Sequence, residues 1–587
     1  MDIEDIANYD INNTSKRGEK IIKKKVDKNK NSNSNNENKN NIEDEIIENP
    51  DNDGKNYFHS NIPGIQKVHI KTYGCSHNAS DSEYMMGLLY EYGYDIVDDV
   101  KKSDICIINS CTVKSPSQAA FLNYVTKSKE YNKPVIVAGC VPQAERNLKG
   151  LENCSIVGVN QIDRIVEVVE ETLKGNIVKL LSKKELPSLD LPKIRRNSMI
   201  EIVPINQGCL GSCTYCKTKQ ARGKLVSYQP EAIIKACKKA WNNGAKEIWI
   251  TSEDTGVYGR DKGTNLPNLM IKILKDIPPD VMIRIGMSNP PYIMEHVEKM
   301  CKILTHPNVY SFIHIPVQSG SNHVLDKMLR EYKIEEFEYL CDYFLNHIDD
   351  ITISTDIICG FPTETKEDFD ETLNLVEKYK FKVINISQFF PRPGTVAAKW
   401  KKVDTKEVHK RSRSLAELFK SYPNYDYLLN TEQRVWLHED KEEPKNKDMY
   451  VGHTKSYVKV LVPKDKDILG KEVLVKITQV FKWHIVGEII DKNPKPRTVN
   501  YDEYFKGMFD EDIEKINKNL QERNKSHELE LNSLFDYKFI KREGFIDINQ
   551  IEKNYYHKKY YLIAFISYIF SIIFLIIGLL KLKQLKY

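Results

Sequence analysis

Residues 206–219 read NQGCLGSCTYCKTK, which places Cys209, Cys213 and Cys216 at C-x3-C-x2-C straight after an apolar strand candidate, Met199 to Asn206. Five more strand candidates follow near residues 247–252, 282–287, 311–317, 352–358 and 383–389, separated by helical stretches. A chain patterned this way folds as parallel βα units. Counting the cysteine strand there are six, which predicts a partial (βα)6 barrel over about residues 195–425 rather than a closed eight-fold one. Three thiolates can hold three irons of a four-iron cluster and leave the fourth without a protein ligand. That open corner can chelate the amino and carboxylate groups of S-adenosylmethionine, and an electron from the cluster then cleaves the sulfonium to a 5'-deoxyadenosyl radical. Zinc is the other possible occupant, but a zinc knuckle needs a fourth ligand and usually comes as paired C-x2-C units.

Parallel barrels collect their chemistry at the carboxyl ends of the strands. The polar segments there are TSEDTGVYG, MSNPP, PVQSGS, DIICGFPTET and FFPRPGT. They make Glu253, Ser288, Gln318 and Asp356 candidates for binding cofactor or substrate, with strand-end caps as the alternative for each. Gly360 and Pro362 read as turn formers.

Upstream, residues 65–175 predict a second, open parallel α/β domain from strand candidates Lys67 to Thr72, Asp104 to Ile108 and Val135 to Ala138. Each is followed by a cysteine, Cys75, Cys111 and Cys140. The rim beyond strand ends is where ligands bind in open sheets, so three thiolates converging there can hold a second cluster. Wide separation in sequence leaves incidental cysteines as an equal reading. Cys106 lies inside its strand and Cys154 lacks a rim context, so both read as buried thiols.

Two ends of opposite character flank this body. Residues 1–62 are dominated by Asn, Lys, Asp, Glu and Ser and cannot bury enough to offset their ordering entropy, which predicts a disordered head. It carries no apolar leader pattern, so the body is expected in the cytosol, where twelve cysteines point to metal, catalysis or burial rather than disulfides. Residues 560–580, YYLIAFISYIFSIIFLIIGLL, carry no charge and span roughly 30 Å as a helix, the thickness of a hydrocarbon core. Lys558 and Lys559 precede them and Lys581 and Lys583 follow, which predicts a C-terminal transmembrane helix acting as a tail anchor. Charge-rich residues 492–559 read as a partly helical stalk. The net charge of +5, from 87 basic and 82 acidic residues, is too small to argue for nucleic acid.

Residues 427–490 contain the alternating runs Val458-Val460-Val462, Val473-Val475-Ile477 and Phe481-Trp483-Ile485, a period of two that predicts a small antiparallel β-barrel. Lys455, Lys459, Lys476 and Lys482 punctuate it, and Tyr457 and Trp483 offer stacking faces for unpaired bases. A solvated strand face with core aromatics is the bland alternative.

From about residue 66 to 490 the chain resembles the methylthiotransferase branch of radical S-adenosylmethionine enzymes, its three modules in order. KTYGCSHNASDSEY, GCLGSCTYCKTKQARG, SEDTGVYGRDKGTNLP and FFPRPGT are similar to the group that converts N6-threonylcarbamoyladenosine at position 37 of tRNA to its 2-methylthio form. The resemblance implies two 4Fe-4S clusters, one on Cys209, Cys213 and Cys216 and an auxiliary one on Cys75, Cys111 and Cys140, with S-adenosylmethionine as cofactor. It implies that the small barrel is a TRAM domain that grips tRNA, that an electron donor of unknown identity feeds the clusters, and that the tail sits in the endoplasmic reticulum membrane. Thr363 departs from the family, which commonly has glycine in its GFPGET segment. The implied chemistry has physical logic. An adenine C2–H bond is neither acidic nor open to a polar nucleophile, so a carbon radical is needed to remove the hydrogen. One S-adenosylmethionine would methylate a sulfur on or near the auxiliary cluster, and a second would supply the radical. Three rivals remain: a sister enzyme acting on isopentenyladenosine, a ribosomal-protein methylthiotransferase, and a noncatalytic membrane-tethered iron-sulfur protein that binds RNA.

Overall fold

The computed structural model describes residues 44–47 and 64–508, apart from 113, 114, 146, 184, 441–447 and 466. These fall in one compact unit ending at Glu511. Among the described residues no helix is long and apolar enough to cross a membrane. The expected transmembrane helix at 560–580, most of the stalk and most of the head lie outside them.

The first module is a seven-stranded sheet of β1 (Glu45–Ile47), β2 (Lys67–Thr72), β3 (Asp95–Ile96), β4 (Ile105–Ser110), β5 (Val135–Gly139), β6 (Ser155–Val157) and β7 (Ile177–Leu180). Its order is β1-β7-β6-β5-β4-β2-β3, and every pair but β1–β7 is parallel. Because β4 and β5 are covered on both faces, Ile105–Ile108 and Val135–Gly139 read as apolar runs. Alternation then sorts them: Ile105, Ile107 and Ile136 pack with Met85 and Val168, whereas Cys106, Ile108, Val135 and Val137 pack with Phe121, Leu151 and Cys154. Cys106 and Cys154 are thus the buried thiols expected of them.

Two boundaries move. β7 lies beyond residue 175, and β1 falls inside the segment expected to be a structureless head. The Asp44 carboxylate explains the second, since it accepts hydrogen bonds from the Ser182 backbone, the Gln161 amide and Arg164 and so pins this stretch to the sheet edge.

The second module runs through β8 (Ile200–Pro204), the two-residue pair β9 (Asn206–Gln207) and β10 (Val226–Ser227), then β11 (Glu247–Thr251), β12 (Met282–Ile285), β13 (Phe312–His314), β14 (Thr352–Cys359) and β15 (Val383–Gln388). β8, β11 and β12 form one parallel sheet, and β13, β14 and β15 another. The Ile283–Val309 bridge and the bond from Tyr310 N–H to Ile283 O (2.9 Å) join them. The result is the open six-strand arc expected, with its core between strands and outer helices.

The third module is a closed barrel, in order β16 (Glu432–Asp440), β17 (Met449–Thr454), β18 (Lys459–Pro463), β20 (Ile485–Asp491), β19 (Glu472–Val480). It is not wholly antiparallel, because β18 and β20 pair in parallel. The Phe481-Trp483-Ile485 run is not a strand throughout. Residues 481–484 form the β19–β20 turn, closed by Phe481 N–H donating to His484 O (2.9 Å).

This barrel docks at the amino ends of the radical-module strands. Lys455 is half-buried there, donating to Leu304 O (2.9 Å) and Ser311 Oγ (3.0 Å). Tyr457 packs against Tyr310, Phe312 and His453, with Arg284 over its ring. Lys482 donates to Tyr422 O (2.7 Å) and Asn424 Oδ1 (2.8 Å). These three side chains therefore hold the module in place and are not available to RNA. Lys476 remains on the exposed surface, and Trp483 is half-exposed while leaning on Phe419.

At the same junction the ligand atoms of Glu247, His438 and His453 gather within 4.8 Å. His438 Nε2 and His453 Nδ1 stand 2.7 Å apart, a hydrogen bond that one proton satisfies. Two nitrogens sharing a tetrahedral ion would be held about 3.3 Å apart. Glu247 accepts from Trp249 Nε1 (2.6 Å) and the Tyr310 hydroxyl (3.1 Å), so the group is a polar peg in the interface.

Candidate active site

Cys75, Cys111 and Cys140 stand just past β2, β4 and β5, neighbouring parallel strands, and this topology brings together residues far apart in sequence. Gly74 and Gly139, at φ +132° and +92°, make the turns. A Cβ on Gly74 would lie 2.4 Å from Cys111 Cβ, so only glycine lets the Cys75 loop rest on that residue. The Cys111 thiol bonds those of Cys75 and Cys140, which pulls Cys75 down to about 6 and Cys140 to about 7 and pushes Cys111 up. Asn78 serves the set with a contact to Cys75 Sγ (3.4 Å) and another to Cys140 Sγ (3.8 Å).

The second set lies on the loop after β8 and β9. The Cys209 and Cys213 sulfurs flank Gly211, at 3.6 and 3.8 Å from where its Cβ would stand. Cys216 contacts the Thr218 hydroxyl (3.1 Å). Burial raises the Cys209 thiol, with Asp254 and the other two cysteines adding to the shift. Arg330 donates to Cys213 Sγ (3.3 Å) and to Asn289 Oδ1. Asn289 in turn donates to Asp254 Oδ2 (2.7 Å), whose carboxyl burial pushes up to about 6.

The two sets are neighbours. Arg392, from FFPRPGT, lies within electrostatic reach of both Cys216 and Cys111. Arg222 follows the second set in sequence yet donates to Cys140 Sγ (3.3 Å) of the first. Triads of soft sulfur donors beside guanidinium groups fit anionic iron-sulfur clusters.

Of the other expected residues, Glu253 is committed to holding the modules together. Its carboxylate accepts from Gly208 N–H (2.9 Å) and pairs with His77 (3.0 Å) and Arg222 (3.2 Å). Burial would raise that carboxyl, but these partners hold it below the ordinary range. Ser288 is fully buried and shares a proton with Thr255 Oγ1 (2.6 Å). Gln318 sits past β13 at φ +68°, its backbone bridging to Ile357. Asp356 lies within β14 rather than beyond it, paired with His314 Nε2 (3.1 Å) and Asn385 Nδ2 (2.8 Å). The residues that sequence reasoning passed over are Asp254, Asn289, Arg330, Arg392 and Arg222. Four of these lie inside motifs already singled out, whereas Arg330 comes from a helix end with no motif to mark it.

A parallel arc with three cysteines on the loop after its first strand defines a radical S-adenosylmethionine enzyme. The Radical SAM superfamily profile matches residues 203–376, and that of the "Uncharacterized protein family UPF0004" matches 67–157. The chain is 52% identical over 436 residues to the threonylcarbamoyladenosine tRNA methylthiotransferase of Xenopus laevis, covering 73% of this chain and 78% of that one. It is 50% identical to the Homo sapiens protein of the same name, covering 73% and 75%. The chain belongs to the radical S-adenosylmethionine methylthiotransferase family, whose cofactors are two 4Fe-4S clusters and S-adenosylmethionine. Among solved structures it is similar to the radical S-adenosylmethionine methyltransferase TsrM of Kitasatospora setae at TM-score 0.43 and 12% identity, over 57% of this chain and 75% of that one, a likeness too distant to build on.

Proposed function

We propose that this protein methylthiolates C2 of N6-threonylcarbamoyladenosine at position 37 of tRNA, using one cluster on Cys209, Cys213 and Cys216 and an auxiliary one on Cys75, Cys111 and Cys140. The observation that carries the two-cluster reading is the adjacency of the triads, with Arg222, on the short helix directly after Cys216, donating to Cys140 Sγ at 3.3 Å. The choice of base rests on relatives about half identical over three quarters of the chain. When bound, the clusters and S-adenosylmethionine supply the radical chemistry and the sulfur and methyl groups that the reaction consumes.

The chain's own residues orient and enclose. Arg330 fixes Cys213 and is fixed by Asn289, which Asp254 holds through a backbone and a side-chain bond. Tyr292 and Tyr332, both buried, help keep water from this chain of contacts. Ser288, Gln318 and Asp356, past β12, past β13 and within β14, are the proposed contacts to S-adenosylmethionine.

Mass spectrometry of nucleosides from total tRNA, before and after depletion of the protein, is the test. The 2-methylthio form of threonylcarbamoyladenosine should fall while its precursor rises. A change in the isopentenyl counterpart instead would hand the substrate to the sister reaction, and no change in either would favour a noncatalytic role. We propose further that residues 560–580 anchor the enzyme in the endoplasmic reticulum membrane with its catalytic modules in the cytosol, fed by a separate electron donor. A fluorescent fusion of residues 558–587 that reached the mitochondrial outer membrane would overturn the first part.

A further inference from the structure

Arg222 links the two cysteine sets through one side chain. It ends the short helix Thr218–Arg222, close behind Cys216, and its guanidinium crosses into the first module. Nε stands 3.3 Å from Cys140 Sγ and 3.2 Å from Glu253 Oε1, Nη2 lies 2.6 Å from Asp81 Oδ2, and Nη1 lies 3.4 Å from Gln207 Oε1. The residue is 4% exposed. Asp81 belongs to the helix Ser76–Tyr92 of the first module and Glu253 follows β11 of the second, so carboxylates from both modules clamp the planar fork and keep Nε aimed at the sulfur.

We propose that Arg222 is a positioning residue that raises the reduction potential of the auxiliary cluster by donating an N–H bond to the Cys140 thiolate, and that it holds this cluster in fixed register with the Cys209–Cys216 loop. This rests on the reading that Cys75, Cys111 and Cys140 carry a cluster. A donor to a ligating sulfur withdraws electron density and favours the more negatively charged, reduced state. Two carboxylates offset the guanidinium charge at short range. The effect is therefore confined to the sulfur that Nε touches, and the radical cluster keeps its potential.

The test is a potentiometric titration of the reconstituted full-length enzyme, followed by electron paramagnetic resonance, with iron and sulfide counted per chain. Arg222→Lys keeps the charge but cannot reach Asp81, Glu253 and Cys140 together. Arg222→Gln with Asp81→Asn removes the donor while leaving the local charge balanced, which guards against misfolding of the first variant. Repeating each titration in a Cys213→Ala background isolates the auxiliary signal. The expected result is a shift of the auxiliary midpoint to lower potential in both, larger in the double variant, with the radical-cluster midpoint unmoved. An unmoved auxiliary midpoint, equal shifts in both clusters, or loss of both clusters in both variants would overturn the proposal. A wild-type iron count of one cluster would instead refute the two-cluster reading, before any variant is made.

Discussion

Thr363 holds its backbone at φ +81°, in the region that favours glycine, one turn beyond Gly360 at +75°. A β-branched residue there costs on the order of 1–3 kcal/mol, of which glycine's greater unfolded-state freedom takes back about 0.5–1. Thr363→Gly is therefore expected to stabilise the protein by about 1 kcal/mol, read as a rise in Tm of about 1–3 °C. A fall in Tm would mean that the exposed side chain makes a contact worth more than the strain. The sequence marked this position through its departure from the family, and the structure supplies the reason, a turn that needs left-handed backbone. At the cysteines the separate roles predict separate losses. Cys213→Ala should abolish S-adenosylmethionine cleavage, while Cys111→Ala should retain some unproductive cleavage and make no methylthio product, both read by chromatography of reaction mixtures. Product from both variants would refute the assignment. The Cys209–Cys216 set stood out through its spacing, whereas bringing Cys75, Cys111 and Cys140 together needed the strand order, because their separation in sequence left incidental cysteines an equal reading. Glu253 was not, since sequence shows a carboxylate at a rim but not the His77 and Arg222 that occupy it.

At the scale of elements, the charged stretch after the small barrel begins as an anchored segment rather than a free stalk. The helix Tyr501–Tyr504 and the residues after it fold back on the radical module. The Tyr501 hydroxyl donates to Ile271 O (2.9 Å) and that of Tyr504 to Lys302 O (3.0 Å), while Phe505 is 2% exposed and stacks on His306. Phe505→Ala should cost about 3–5 kcal/mol of local docking energy, seen as lost hydrogen-exchange protection over residues 501–508. The docking should also depend on pH. Burial, with Lys455 adding to it, pushes His306 down to about 4. Unfolded, the imidazole titrates near 6.5, so below that pH the unfolded chain binds the extra proton. The stability is intact above about pH 6.5 and is given up as pH falls toward 4, a loss on the order of 2–3 kcal/mol. His306→Gln should flatten that dependence, and an equally steep one would place the titrating group elsewhere. Composition hid this segment because its few aromatics lie among charges. The radical-module strands were legible through the apolar residues they turn toward the outer helices, such as Ile248 and Ile250 of β11, and through the helices that separate them. The alternation through Phe481 and Trp483 misled because a period of two can run on into a tight turn.

For the whole molecule, the small barrel docks at the amino ends of the strands, and the cysteine loops lie beyond their carboxyl ends. β14, at 8 residues, sets the separation at about 25 Å. Sequence alone foresaw the three modules but not their docking, because Lys455 and Tyr457 look like surface residues until their partners on β13 and its approach are in place. The same geography bears on the tail. The described contacts around either cysteine set are made by residues no later than Trp400, and the last described residue, Met508, packs on the outer helices through the anchored segment. Deleting residues 560–587 is therefore expected to release the enzyme into detergent-free extract with kcat/KM on an anticodon stem-loop unchanged within about twofold, a difference of roughly 0.4 kcal/mol in transition-state stabilisation. A tenfold loss in that soluble form would mean that the C-terminal segment shapes the site, not only its address. Retention in the membrane fraction after the deletion would move the anchor to another part of the chain.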